Sequence, residues 1–315
     1  MASGVHDHAN LDEAALVAHL HDTFVDEHGG AVASYIPELA KVDPDLFGIA
    51  ITGIDGTQVT AGDYSARVTI QSVSKPFAYA NVLEHIPAGE IAERVGIEPS
   101  GDPFNEISLD GQNRPQNPLI NAGAIAIASL APGTSHETKL QGILSTLAAF
   151  IGTDHVDVDQ DVLASETATG FRNFAIAYML KSLDSLPCQV PDVIERYFTQ
   201  CSVLVTPREL SVMAATLANG GVNPLTGVRV ISPETTRSVL SVMLAAGMYD
   251  YAGAWLNDVG IPAKSGVSGI VIAVVPGKFG IAVLSPRLDE HGNSVRGIKV
   301  CELLANDMGL HLLGK

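Results

Sequence analysis

Cysteine is scarce in this chain: among 315 residues there are three, Cys188, Cys201 and Cys301. So few thiols, and an odd number of them, exclude the disulfide framework of a small secreted domain. Residues 1–10 also lack a basic region followed by an apolar one, so no export signal is expected. These features predict a cytoplasmic protein with reduced thiols.

Long apolar runs are missing as well. No run reaches the length of about 18 residues that a membrane-spanning helix needs. The longest candidate, Leu119–Leu130, is rich in Ala and Gly and reads as a buried helix. A membrane partner is therefore not expected.

Positive charge is low, with 18 Lys and Arg against 35 Asp and Glu and a formal net charge of −17. Such a surface repels phosphate backbones, which argues against nucleic acid as a partner. An anionic substrate would need a local pocket of neutral or opposite polarity.

Cofactor signals are absent too. The sequence contains no phosphate-binding loop and no dinucleotide fingerprint. The segments His6-Asp7-His8 and His19-Leu20-His21 lack a third ligand at a suitable spacing for a metal. We expect neither a metal nor another cofactor.

What is present indicates one folded chain of one or two domains. Hydrophobic residues make up 46% of it and the mean hydropathy is +0.24, which is enough for a substantial core. Apolar spacing predicts an opening helix over 11–27 that Gly29-Gly30 ends. Strands are predicted at 47–52, 58–60 and 67–72, with a hairpin turn at Asp55-Gly56.

The middle of the chain is predicted to be helical, and the end returns to a mixed pattern. Thr206-Pro207-Arg208-Glu209 is a capping box that starts one helix, and Ser232-Pro233 starts another. The remaining predicted elements are helices at 119–130, 137–151, 173–183, 191–199 and 294–308, and a hairpin of 270–275 with 279–284.

This order of elements predicts an α+β fold, an antiparallel sheet flanked by helices with an all-helical subdomain inserted. Residues 1–74 and 203–315 would form the discontinuous α+β domain, and 75–202 the helical subdomain. The functional site is expected where the two meet.

Ser72-Val73-Ser74-Lys75 lies at that junction. A serine and a lysine one turn apart at a helix start share a face, so the amine can take the hydroxyl proton and activate the nucleophile. Lys264-Ser265-Gly266, on a predicted strand, can supply a second cation and a second hydroxyl on another wall of the site. The pairing is found in serine acyl-transfer enzymes of the β-lactamase and penicillin-binding type.

Further segments make the resemblance specific. The chain resembles the serine-dependent glutaminases, which have a β-lactamase/penicillin-binding-protein-like fold. The matching segments are Ser34–Pro37, Gln71–Pro76, Asn117–Ile125, Ser165-Glu166, Arg172–Ile176, Tyr197-Phe198, Gly247–Asp250, Pro262–Val267 and Gly292–Val295.

The resemblance implies Ser72 as the nucleophile, Lys75 as its base and Tyr249 in the proton relay. Lys264 is the candidate second cation, whose charge would help to lower the pKa of Lys75. Backbone N–H groups of Ser72 and Val267 are the expected oxyanion donors. The implied substrate contacts are Tyr35, Ser72, Asn121, Glu166, Asn173, Tyr197, Tyr249 and Val267.

The expected substrate is L-glutamine, hydrolysed to L-glutamate and ammonia. Glu166 suits the substrate ammonium, with Asn173 beside it. Asn121, Tyr35 and Tyr197 can donate hydrogen bonds to the carboxylate without adding charge.

Two positions depart from the family pattern. Ser268-Gly269-Ile270 has one glycine where the family usually has two, which bears on the backbone of a loop beside the site. Phe171 replaces an acidic residue ahead of Arg172, which bears on helix packing near Glu166.

Two alternatives stay open at this point. One is a β-lactamase or D-alanyl-D-alanine peptidase, and the other is a non-catalytic glutamine sensor. The resemblance also implies a homodimer or homotetramer, for which the apolar residues of Ser232–Ala246 could supply the interface.

Overall fold

The two ends of the chain build one sheet in the computed structural model, which describes residues 13–101 and 106–314. The sheet has the order β2-β1-β7-β6-β5 and every neighbouring pair is antiparallel. Strands β3 and β4 form a separate antiparallel pair. The strands are β1 Gly48–Gly53, β2 Gln58–Gly62, β3 Val68–Thr69, β4 Leu204–Val205, β5 Ala263–Gly266, β6 Ile270–Val275 and β7 Phe279–Leu284.

Each face of the sheet packs on its own hydrophobic cluster, because side chains alternate along β6 and β7. Val271 and Val283 face the cluster that contains the first and last helices. Ile272 and Ala282 face the larger cluster, which continues into the helical region. Both strands are therefore buried on two sides and consist almost entirely of apolar residues. The α+β fold with an antiparallel sheet flanked by helices is confirmed.

Twelve α-helices lie within the described residues. The segment between β3 and β4 is helical and carries seven of them. The boundaries at 74/75 and 202/203 stay a prediction. The helices are α1 Glu13–Phe24, α2 Lys75–His85, α3 Ala88–Ala92, α4 Asn121–Leu130, α5 His136–Ile151, α6 Gln160–Thr169, α7 Phe171–Ser182, α8 Val190–Cys201, α9 Pro207–Ala218, α10 Pro233–Ala246, α11 Ala252–Asp258 and α12 Val295–Met308.

Helix starts were the most predictable boundaries. The capping box at the start of α9 is present, with Thr206 and Glu209 each accepting from the other's backbone N–H. Ser232 caps α10 and Ser294 caps α12 with one bond each, since their hydroxyls accept from the N–H of Thr235 and of Gly297. These side chains satisfy backbone donors that the first helical turn leaves free.

Two predicted elements are wrong in extent. The opening helix ends at Phe24 rather than at Glu27, because the Arg296 guanidinium takes the carbonyls of Val25 and Glu27 as acceptors. The third strand spans only Val68–Thr69 and not 67–72, since its partner β4 is itself two residues long. Ile70 already has a helical backbone.

No single helix among the described residues has both the length and the apolar composition of a membrane span. Within the same residues, no three His, Cys, Asp or Glu side chains are grouped so that they could hold a metal ion. His6-Asp7-His8 lies outside the described residues. The three cysteines are free thiols, and the cytoplasmic location stays a prediction.

Candidate active site

Ser72 lies in a short 3₁₀ turn, Gln71–Ser74, between β3 and α2. Gln71 has φ +48, a left-handed conformation that a residue with a side chain rarely adopts. Such strain persists where the surroundings hold it, and it is common at functional sites. Ser72 is 7% exposed, so the turn places a nearly buried hydroxyl at the point where a strand passes into a helix.

Lys75 begins α2 and is 1% exposed. Its Nζ donates to the carbonyl of Leu119 at 3.1 Å and to Asn121 Oδ1 at 2.7 Å. Burial lowers the pKa of Lys75 from 10.5 to about 8, against smaller raising effects of Cys201 and Glu166. A neutral amine has two N–H donors, and these two acceptors use both. The lone pair that a base needs is then left free.

Lys264 is buried on β5, next to Tyr249. Burial, and then the charge of Lys75, hold the pKa of Lys264 well below its usual value. A lowered pKa favours the neutral amine of Lys264, and its role as a cation that lowers the pKa of Lys75 stays a prediction. Its Nζ donates to the carbonyls of Gly247 and Ser265 at 3.0 and 2.6 Å and lies 4.0 Å from the ring centroid of Tyr249. Lys264 thus packs against the ring of Tyr249 and helps to hold it in place.

Tyr249 opens a second short 3₁₀ turn, Tyr249–Tyr251, and also has a left-handed backbone, with φ +58. Its hydroxyl donates to the carbonyl of Ser265 at 3.0 Å and is hydrogen-bonded to the side chain of Ser72. Burial raises the pKa of Tyr249, which the bond to Ser72 only partly offsets. The phenol therefore stays protonated while it touches the proposed nucleophile.

A cavity of about 320 Å³ opens beside Ser72. It collects six of the predicted substrate contacts, each from a different helix, turn or loop. Asn121 Nδ2 donates to Asn173 Oδ1 at 2.9 Å, and Tyr197 Oη donates to Asn121 Oδ1 at 3.2 Å, so these three side chains hold one another in place. The predicted residues on its wall are Tyr35, Ser72, Asn121, Glu166, Asn173 and Tyr197.

Glu166 is an ionisable residue buried in the wall of this cavity, with 6% of its surface exposed. Burial raises the pKa of Glu166 from 4.5 to about 8, while a hydrogen bond from Gln71 and the charge of Lys75 lower it. Its Oε2 has no hydrogen-bond partner among the described residues. A buried acceptor without a partner costs free energy, and a ligand cation would satisfy it.

Glu166 and Asn173 lie on different helices, although they are only seven residues apart in the sequence. Glu166 lies on α6 and Asn173 on α7, and Gly170 separates the two helices. A Cβ at Gly170 would lie 2.5 Å from the Phe198 ring and 2.6 Å from the Glu166 carbonyl oxygen. This close approach turns the chain, so that two different helices supply the two side chains.

Tyr35 and Val267 lie at the edges of the site. Tyr35 is 56% exposed at the mouth of the cavity. Val267 does not line this cavity but an adjacent one of about 260 Å³, together with Ser268. Among the described residues no backbone carbonyl accepts from the N–H of Ser72 or of Val267. Their use as oxyanion donors stays a prediction.

Seven residues of the cavity wall were not predicted: Ile36, Gln71, Thr169, Gly170, Arg172, Phe198 and Cys201. Gln71 is hydrogen-bonded to Glu166 and donates to Thr69 Oγ1 at 3.2 Å. It therefore links the turn that contains Ser72 to the part of the cavity wall that contains Glu166. Its position next to Ser72 was the available signal. Arg172 pairs with Glu106 at 2.7 Å. Cys201 is buried, and burial raises the pKa of its thiol.

The two departures from the family pattern are accommodated. Phe171 is 76% exposed, so it does not alter the packing near Glu166. Gly269 takes the left-handed conformation of the turn, with φ +88. Ile270 then begins β6, fully buried and paired with Gly266.

A buried Ser-x-x-Lys pair, joined by a phenol at the seam between an antiparallel sheet and a helical layer, defines the β-lactamase-like class of serine acyl-transfer proteins. Within that class the chain belongs to the glutaminase family, whose model, Glutaminase, matches residues 30–313.

Relatives and solved structures agree with that assignment. The chain is 49% identical over 294 residues to the glutaminase of Trichormus variabilis, covering 93% of this chain and 88% of that protein. It is 49% identical over 292 residues to glutaminase 1 of Bradyrhizobium diazoefficiens, covering 93% of this chain but only 48% of that protein. The chain thus spans about half the length of this relative.

Among solved structures, the probable glutaminase ybaS superposes with a TM-score of 0.93 at 39% identity, covering 96% of this chain and 99% of the other. Mglu in its tris and glutamate form superposes with a TM-score of 0.91 at 44% identity, covering 94% and 66%.

Proposed function

We propose that the chain hydrolyses L-glutamine to L-glutamate and ammonia through a γ-glutamyl ester of Ser72. One observation carries the proposal: a single cavity has the hydroxyl of Ser72 on its wall and, elsewhere on that wall, the unpartnered carboxylate oxygen of Glu166. An amino acid with a side-chain amide has the two groups that this pair can engage. The relatives named glutaminase, and a similar structure in a glutamate form, support the choice.

Acylation begins with the Ser72 hydroxyl. Its proton passes to the neutral amine of Lys75, directly or through the Tyr249 phenol that is bonded to Ser72. The oxygen attacks the side-chain carboxamide carbon and a tetrahedral oxyanion forms, for which the N–H groups of Ser72 and Val267 are the donors. Protonation of the amide nitrogen by the same relay releases ammonia.

Deacylation repeats these steps with water as the nucleophile. Lys75, again neutral, takes a proton from water, and the attack on the ester releases glutamate and restores the Ser72 hydroxyl. A protonated Tyr249 can both donate and accept, so it serves in either direction. The reaction uses only side chains and backbone of this chain.

Substrate selection falls to Glu166 and the amide network. The ammonium of the substrate would pair with Glu166 and keep it ionised, which pays back part of the cost of its burial. The hydroxyls of Tyr35 and Tyr197 and the amide of Asn121 are neutral donors for the α-carboxylate.

The nucleophile is tested with Ser72→Ala. We expect ammonia release from glutamine to fall by roughly 10³-fold or more, because the acyl group has no oxygen to bond to. Ser145→Ala, on the exposed side of α5, is the matched control and should retain activity.

The same assay separates the alternatives. A β-lactamase-like enzyme would turn over nitrocefin and release no ammonia from glutamine. A sensor would bind glutamine without releasing ammonia, and Ser72→Ala would leave its behaviour unchanged. Either outcome for the unaltered protein contradicts the proposal.

The role of Glu166 in binding the substrate ammonium is tested with Glu166→Gln. We expect the KM for glutamine to rise by roughly 10- to 100-fold, the cost of losing a charged hydrogen bond. Hydrolysis of glutaramate, the same amide without the amine, should change little. Equal losses on both amides would refute the role given to Glu166. Glu195→Gln, a half-exposed carboxylate of α8 outside the cavity, serves as the control.

We also propose that the chain forms a homodimer or homotetramer. The support is a groove along α10 in which Leu240, Leu244 and Leu312 are only partly covered. Sedimentation equilibrium of the unaltered chain and of Leu244→Glu measures this, and a monomer at micromolar concentration counts against it.

A further inference from the structure

Two features near the site have no part in the mechanism above. One is Asp250, next to Tyr249, and the other is the loop 289–294 with its Gly292-Asn293-Ser294. The structure brings them together, although about forty residues separate them. His291 Nδ1 lies 3.1 Å from Asp250 Oδ2, and the His291 ring centroid lies 5.6 Å from that of Tyr251.

The turn that this contact reaches is strained. A left-handed backbone at a bulky residue such as Tyr249 is unfavourable and lasts only where neighbours hold it. On the inner side, the bond from Tyr249 to the Ser265 carbonyl holds the turn. On the outer side, the pair of Asp250 and His291 ties it to the loop.

The loop itself is fixed by Asp289. Its Oδ1 accepts from the backbone N–H groups of His291 and Asn293, both at 2.9 Å. The backbone adds two bonds, from Asp289 to the Asn293 carbonyl at 2.8 Å and from Gly292 to the Asp289 carbonyl at 3.2 Å. His291 is therefore presented to Asp250 from a closed, hydrogen-bonded ring of residues.

The other end of the loop leads to the turn that follows β5. Ser294 Oγ donates to the Ser285 carbonyl at 2.8 Å. The Ser285 N–H donates to the Gly269 carbonyl at 2.8 Å, and Gly269 N–H to Gly266 at 3.0 Å. One loop is thus bonded to the turn of Tyr249 and, through Ser285, to the turn that contains Val267.

We propose that Asp250 and His291 are positioning residues, which hold Tyr249 against Ser72 by tying its strained turn to the loop 289–294. The proposal rests on the proposed function. Neither residue lines the substrate cavity, so both act through Tyr249. The other charged groups that face His291 are Asp289 and Glu290 of its own loop.

The test is His291→Ala, assayed for ammonia release. We expect kcat to fall about tenfold, because a small displacement of a proton-relay group slows the chemistry. KM for glutamine should stay within about twofold, since the binding residues lie on other elements. His291→Asn, whose amide can donate to Asp250 from the place of Nδ1, should recover most of kcat. Glu290→Gln removes an exposed charge from the same loop and is the control.

Asp250→Asn combined with His291→Ala completes the test. The double variant should be no slower than the slower single variant, because both changes break one tie. Losses that multiply overturn the proposal, as does a His291→Ala protein with kcat within about twofold of the unaltered protein, or a His291→Asn protein that recovers nothing.

The tie can also be measured without activity. By NMR, Asp250→Asn should lower the pKa of His291, since the bond to Asp250 is its largest raising influence. If the unaltered protein releases no ammonia, the proposed function fails. If the pKa of His291 is instead the same in Asp250→Asn as in the unaltered protein, the contact between Asp250 and His291 is refuted, whatever the activity.

Discussion

At the scale of single residues, the site is distinguished by ionisable groups that folding removes from water. Lys75, Glu166 and Lys264 are 1%, 6% and 0% exposed. Burial favours the uncharged form of each, which lowers the pKa of the lysines and raises that of the glutamate. An acid–base site needs groups poised near neutral pH, and burial supplies that here.

The pH dependence of kcat follows from Lys75. Because its pKa is about 8, the amine loses its proton as the pH rises through that value, and the neutral base becomes more abundant. We expect kcat to rise roughly tenfold per unit up to about pH 8 and to level off above about pH 9.

Glu166 provides the contrast in that experiment. It titrates near the same pH in the free protein, but a bound ammonium keeps it ionised, so it affects kcat/KM rather than kcat. Glu166→Gln should therefore leave the rise of kcat in place. A kcat that is constant over this range would show that Lys75 is not the base.

At the scale of elements, short turns place the nucleophile, the phenol and one expected oxyanion donor, while the base Lys75 begins α2. Ser72 and Tyr249 both lie in 3₁₀ turns, and Val267 lies in the turn between β5 and β6. That last turn depends on Gly269. A Cβ there would lie 2.3 Å from Pro286 Cα and 2.4 Å from the Ser285 carbonyl oxygen, both backbone atoms that cannot move aside cheaply.

Gly269→Ala is therefore expected to destabilise the fold and the site together. We expect a loss of about 2–4 kcal/mol in the free energy of unfolding and a lower kcat, measured by denaturant titration and ammonia release. Gly277→Ala is the matched control. It lies in the next hairpin turn with φ +74 and open space around it, so only backbone strain of about 1 kcal/mol is added. Equal losses in the two variants would mean that the contact with Pro286 does not matter.

At the scale of the whole molecule, the site is assembled from segments far apart in the chain. Strands from both ends share one sheet, in which β1 pairs with β7. The helices inserted between β3 and β4 supply Asn121, Glu166, Asn173 and Tyr197. Folding of the complete chain is therefore required before the cavity exists.

Many of the strands and helix starts could be predicted from local patterns in the sequence. Buried β-branched runs identified β6 and β7, and the caps at Thr206, Ser232 and Ser294 identified helix starts to within a residue. Helix α6 was missed because only Val162 and Glu166 of its ten residues are buried, which leaves no apolar period to read.

The sequence by itself determined the fold class, the family and six of the residues that meet at the cavity, because strand and helix periods, caps and ordered motifs are local properties of the chain. Only the tertiary structure decided the protonation and roles of the buried groups. Lys264 came to lie against the Tyr249 ring, Glu166 and Asn173 came to lie on separate helices, and His291 reached Asp250. Burial and contacts between distant segments arise only when the chain packs, so no local pattern could have shown them.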